Sequence, residues 1–96
     1  MNNLVLSGRV VNLMPLRYTP AAVPVMELDV DHEHEVEESG VLRLVKFEMA
    51  VTVIGDLALM NKHLQLGQAI EVEGFLAPTR KNSPRLRLHA QRLRLI

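Results

Sequence analysis

The stretch VLRLVKFEMAVTVI (Val41–Ile54) runs fourteen residues without a glycine, a proline or a turn signal. Val45, Phe47, Met49, Val51 and Val53 share one face under a two-residue period, while Leu42 and Leu44 fall on the other, which is strand patterning. At about 3.3 Å per residue such a strand reaches roughly 46 Å, longer than a small domain is wide. It is therefore expected to bend, with its buried face switching sides along its length, as the strands of a small closed barrel do.

Upstream, Glu37-Glu38-Ser39-Gly40 reads as a turn, preceded by strict alternation over Met26–His34. Leu4–Leu13 reads as a first strand with Gly8 inside it, and an internal strand glycine marks a bulge or a tight bend. Pro15 and the stretch Tyr18–Ala22 interrupt the pattern, because proline cannot donate to a ladder. Downstream, Leu57, Leu59, Met60, Leu64 and Leu66 have the spacing of a short amphipathic helix, with Asp56 as its cap and Gly67 at its end. Ile70–Leu76 is a fourth strand and Pro78–Pro84 a polar loop. The last strand, starting at Arg85, keeps apolar residues at even positions through Ala90 and at odd positions at Leu93 and Leu95. That slip near Gln91 predicts a bulge.

Three strands, a short helix and two strands make an all-β chain whose order fits a five-stranded OB-fold Greek-key barrel, with the helix between strands 3 and 4 and one domain over residues 1–96. An SH3-like barrel is the rival, and it has no comparable helix after its third strand. The 96-residue length leaves room for one core and excludes a two-domain enzyme.

Several chemistries are set aside by what the sequence lacks. Without cysteine there is no disulfide, thiolate zinc site or cysteine nucleophile. Ser7, Ser39 and Ser83 have no nucleophile-elbow context and no glycine-rich phosphate loop occurs. His32 and His34 lie two apart on one strand face, but zinc wants three or four ligands and the helical His-Glu-x-x-His pattern is absent. The expectation is a binding module with no catalytic residues, metal or cofactor. Charged residues interrupt every apolar run and the first residues lack a basic, then apolar, leader, so a cytoplasmic protein with no membrane association is expected.

The formal net charge is +0, yet it hides a separation. Residues 27–40 carry seven acids and no Lys or Arg; residues 78–96 carry six Lys or Arg and no acid. Arg80, Lys81, Arg85 and Arg87 are the densest basic group, in the loop and strand where OB domains commonly meet nucleic acid. A solvated strand face reads equally well. The acidic strand, by contrast, would repel phosphate and would guard a sheet edge. Aromatic residues make up only 3% of the chain, Tyr18, Phe47 and Phe75.

Leu4-Val5-Leu6-Ser7-Gly8, the Glu37–Gly40 turn, Met49 ahead of Val51 and Val53, Val72–Phe75, and the ending from Leu88-His89-Ala90 through Ile96 together resemble the primosomal replication protein N family across nearly the whole chain. The resemblance implies a homodimeric OB-fold protein, related to bacterial single-stranded DNA-binding protein, that binds single-stranded DNA, the primosomal helicase and other primosome proteins to reload the replication machinery at stalled forks. It implies dimer contacts through the first strands, where Leu4, Val5, Leu6 and Val11 are apolar on both faces. It also implies a DNA surface with Arg17 and Tyr18 in the first loop, Arg43 in the third strand, and Arg80, Lys81, Arg85 and Arg87 around the last loop. The chain departs from the family pattern in three places, one of them a shorter last loop over Pro78–Pro84. Val41 and Lys46 stand where relatives place stacking aromatics, leaving Lys46 only a phosphate contact to offer, and Glu33 stands at a basic position. Binding carried by charge more than by stacking is the resulting expectation.

Overall fold

A computed structural model describes residues 1–96. Its elements are β1 (Leu4–Leu13), β2 (Arg17–Tyr18), β3 (Pro24–Glu38), β4 (Val41–Ile54), α1 (Asp56–Met60), β5 (Ala69–Pro78) and β6 (Leu86–Leu95). The sheet runs β1-β5-β6-β4-β3-β2, and β1 also pairs with β3, so five strands close into a barrel while two-residue β2 adds an outer edge. No helix is long and apolar enough to cross a membrane.

Closure follows from how each strand shares its length. β1 pairs with β5 over Leu4–Arg9 and with β3 over Arg9–Leu13, changing partners at its middle. The bulge that turns it is at Val11, between the Val10–Val30 and Asn12–Asp29 pairs. Gly8 serves another purpose: a Cβ there would lie 2.3 Å from the Asp31 carbonyl oxygen, so its hydrogen is what lets β1 cross close over β3. The seam between β4 and β6 is the thinnest, parallel and limited to Val51–Leu88 and Thr52–His89. Val10, Leu28, Val30, Val51, Val53, Ile70, Val72 and Leu88 fill the interior, all under 2% exposed.

The phase slip at Gln91 is a bulge in β6, since Glu73 pairs with Arg92 and Gly74 with Ala90. It holds both Leu88 and Leu93 toward the core while Arg87, Arg92 and Arg94 stay outside. Gly74 sits at this bulge, where an added Cβ would fall 1.8 Å from the His89 carbonyl oxygen. The Gly74→Ala protein is expected to lose about 1–3 kcal/mol by overpacking, read as a lower denaturant midpoint.

Two expectations need correcting. The fourteen-residue strand does not swap its buried face. Pairing from Val25–Ile54 to Glu38–Val41 is unbroken, and the hairpin closes through Ser39 and Gly40, both left-handed at φ 51° and 79°, as a two-residue turn requires. The ribbon instead leaves the barrel: residues 33–44 are exposed, Leu42 and Leu44 at 71% and 60%. Nothing lies beyond the barrel for those leucines to pack on, and the molecule measures 51 Å along its longest axis. The helix, for its part, ends at Met60, well short of Leu66. Gly55 takes the cap position, with no side-chain cap bond, and Asp56 lies in the first turn, where its charge favours the helix dipole. Asn61 ends it by donating its amide to the Leu57 carbonyl at 2.8 Å. The chain then returns to β1 through Gly67 N–H donating to Val10 O and Val10 N–H to Gln68 O, so Leu64 reaches the core from a turn.

Candidate nucleic-acid interface

The alternation of each strand fixes which side chains look outward. On β3 these are Glu27, Asp29, Asp31, Glu33, Glu35 and Glu37; on β4 they are Thr52, Ala50, Glu48, Lys46, Leu44 and Leu42, each opposite its partner in register. The outer β3–β4 face, where OB domains commonly lay a nucleic-acid strand, is thus a carboxylate row. Lys46 stands in it opposite Glu33 and two residues from Glu48, with no salt bridge of its own. Arg43 is on the reverse face of the arm, near its tip, paired with Glu38. It lies nine positions along β4 from Thr52, about 30 Å, far from the Arg17–Glu27–Arg87 end of the face, with Lys46 three residues away.

Glu27 organises the opposite end of that face. Its carboxylate accepts from Arg17 at 2.8 Å and lies 3.7 Å from the Arg87 guanidinium, joining β2, β3 and β6. Arg87 also donates through Nε to Thr52 Oγ1 at 2.7 Å and through Nη2 to the Val51 carbonyl at 3.2 Å. Its side chain is only 22% exposed. Arg87 therefore clamps the two-residue seam, satisfying the one buried polar residue, Thr52. Arg87→Lys keeps the charge but cannot reproduce the fork, so it is expected to lower stability by about 1–3 kcal/mol, with a matching fall in melting temperature.

The basic residues of the β5–β6 loop are free of ion pairs. Loop residues 79–85 tie themselves together: Thr79 N–H donates to Arg85 O at 2.9 Å, Ser83 N–H to Arg80 O at 3.0 Å, and Ser83 Oγ accepts from Thr79 Oγ1 and Arg85 N–H. Asn82 takes a left-handed turn at φ 64°. Arg80, Lys81 and Arg85 project from this frame, exposed and without an ion pair. Tyr18 is 59% exposed beside Arg17.

The predicted site residues thus separate by circumstance. Arg80, Lys81 and Arg85 are free, Arg17 with Tyr18 beside it is tied to Arg87 through Glu27, Lys46 lies among acids, and Arg43 pairs with Glu38 near the tip of the arm. Sequence reasoning passed over Arg92 and Arg94, although the slip at Gln91 was the signal that returns them to the outer face. His32 and His34 are linked to each other: His32 Nδ1–H donates to Ser7 O, leaving Nε2 to accept from His34 Nδ1–H at 2.7 Å. No three His, Cys, Asp or Glu side chains converge as a metal set.

A closed OB barrel carrying a free cationic β5–β6 loop is the architecture of single-strand-binding domains. Residues 2–92 match the family described as "Another single-strand binding protein family". The replication restart protein PriB of Bordetella pertussis is 45% identical over 96 residues, spanning all of this chain and 90% of that one. That of Neisseria meningitidis serogroup B is 39% identical, spanning 91% and 89%. Among solved structures, priB from Ralstonia solanacearum superposes with a TM-score of 0.84 at 29% identity, covering 100% and 99% of the two chains. The wild-type single-stranded DNA binding protein of Thermus aquaticus gives 0.81 at 25% identity, covering all of this chain and 50% of that one. The chain belongs to the PriB family of replication restart proteins.

Proposed function

We propose that this protein is a replication-restart accessory factor that holds single-stranded DNA chiefly by charge and presents it to the primosomal helicase as a homodimer. The observation that supports charge over stacking is the contrast between two surfaces. Arg80, Lys81 and Arg85 are exposed and unpaired on one, and the β3–β4 face carries carboxylates where a stacking OB surface would carry aromatics. Each base–aromatic stack is worth about 1–3 kcal/mol. Two fewer stacks, about 2–6 kcal/mol, mean an affinity lower by roughly 30-fold to 20,000-fold.

The reading is tested with a labelled oligothymidylate and its duplex counterpart at low salt, with and without the helicase. Single-strand binding that persists in a ternary complex supports it, and no binding at low salt contradicts it. The dimer is expected to form through β1, where Val5 is 54% exposed on the outward face. A monomer by sedimentation at micromolar concentration would count against that part.

A second reading, a protein-interaction adaptor whose DNA contact is incidental, is favoured by the arm. Leu42 and Leu44 stand exposed opposite Glu37 and Glu35, an apolar strip edged by acid that suits a basic, partly apolar segment of a partner. Leu42→Ser with Leu44→Ser separates the readings: loss of helicase binding with DNA affinity intact assigns the arm to the partner.

A further inference from the structure

Arginines recur along the outward row of β6. Arg85 at the loop, then Arg87, His89, Arg92 and Arg94 all face outward, because the Gln91 bulge restores their phase after Leu88 and Ala90. In the middle of the row, Phe75 of β5 lies opposite His89 with the two rings stacked, centroids 5.1 Å apart and planes within 7°. Phe75 is 36% exposed. An aromatic pair set within a line of arginines has the composition that single-strand binders use, a charged track for the backbone and a flat face for a base.

We propose that a bound single strand continues from the β5–β6 loop over the outer face of β6, with one base stacked on the Phe75–His89 pair and Arg92 contacting a phosphate beyond it. This rests on the DNA-binding reading and adds a base subsite and a phosphate contact to it. Arg92 is the available cation: it is exposed and makes no salt bridge, whereas Arg94 is held by Glu71 at 3.0 Å and Arg87 is committed to the seam. Glu73, in register with Arg92, is the one unpaired carboxylate next to the stack on β5. It biases the track toward β6. From Arg85 to Arg92 the row covers about 20 Å at the strand rise, room for a few nucleotides.

Stacking and charge separate in salt. Phe75→Ala is expected to weaken oligothymidylate binding by about 5- to 100-fold with the salt slope unchanged. Arg92→Ala is expected to make the slope shallower by about 0.7. Phe75→Leu keeps apolar cover over the sheet and should still bind weakly, which separates loss of the aromatic face from loss of packing; melting curves on all three variants check the fold. Affinity unchanged in Phe75→Leu, or a shift in oligomeric state accompanying any loss, overturns the subsite. Those results leave loop-based DNA binding standing. Failure of the unmodified protein to bind the oligonucleotide at all overturns both.

Discussion

Replacing Arg80, Lys81 and Arg85 together with alanine should weaken single-stranded DNA binding by about 100-fold near 0.1 M salt. The estimate comes from counterion release: each phosphate neutralised on a single strand contributes about 0.7 to the slope of log K against log salt, hence about 0.7 decade at 0.1 M relative to 1 M. Three contacts give about two decades. Fold stability should move little, because these side chains are exposed and unpaired, and surface changes of this kind usually stay within about 0.5 kcal/mol. Arg43→Ala, at the arm's tip and engaged with Glu38, is the matched comparison. It should leave affinity within about twofold. Equal losses in the two variants, followed by anisotropy, would mean that charge acts from the whole surface and that the loop has no special part.

The second large effect concerns the barrel seam. Leu88 is fully buried and half of a two-pair junction between β4 and β6, so Leu88→Ala should cost about 2–5 kcal/mol through lost transfer energy and the cavity left behind. For a chain of this size that is about 10 °C or more in melting temperature. Leu42→Ala on the arm should cost less than about 0.5 kcal/mol, since that side chain is 71% exposed. Calorimetry on the pair decides whether the long hairpin belongs to the core or stands outside it. A comparable loss in Leu42→Ala would place the arm against something in the folded molecule.

The sequence carried the strand order, a turn before Val41 and the β6 bulge, because each has a local cause: a period of two, a Ser-Gly pair that takes left-handed angles, and a phase slip that must be absorbed; the turn reads from Glu37 in the sequence, whereas Glu37 and Glu38 stay paired in β3. It misjudged the hairpin arm because length and alternation are the same for a strand that curls round a core and one that runs past it. Only the barrel's actual size tells them apart. The helix was overextended for a related reason. Leu64 is buried as the periodicity required, yet Asn61 ends the helix before it, and a turn delivers the same leucine to the core.

Charge was legible as two blocks along the chain, but its arrangement was not. Arg87 sits in the basic block and reads as a phosphate contact, while its guanidinium is engaged by Thr52, Val51 and Glu27 across three strands. Lys46 shows the converse: basic by identity, it stands in the carboxylate row once β3 and β4 are placed in register. Both depend on cross-strand neighbours far apart in sequence. The scarcity of aromatics likewise understated what is present, since Phe75 and His89, fourteen residues apart, meet only through the β5–β6 pairing.

If a small set of free cations holds the single strand, binding must weaken steeply with salt. Contacts from Arg80, Lys81, Arg85 and Arg92 give an expected slope of log K against log salt near −3, with single-strand release at about 0.7 per phosphate. Oligothymidylate titrated at a series of salt concentrations should give that line. A flat line, with binding that survives high salt, would contradict it.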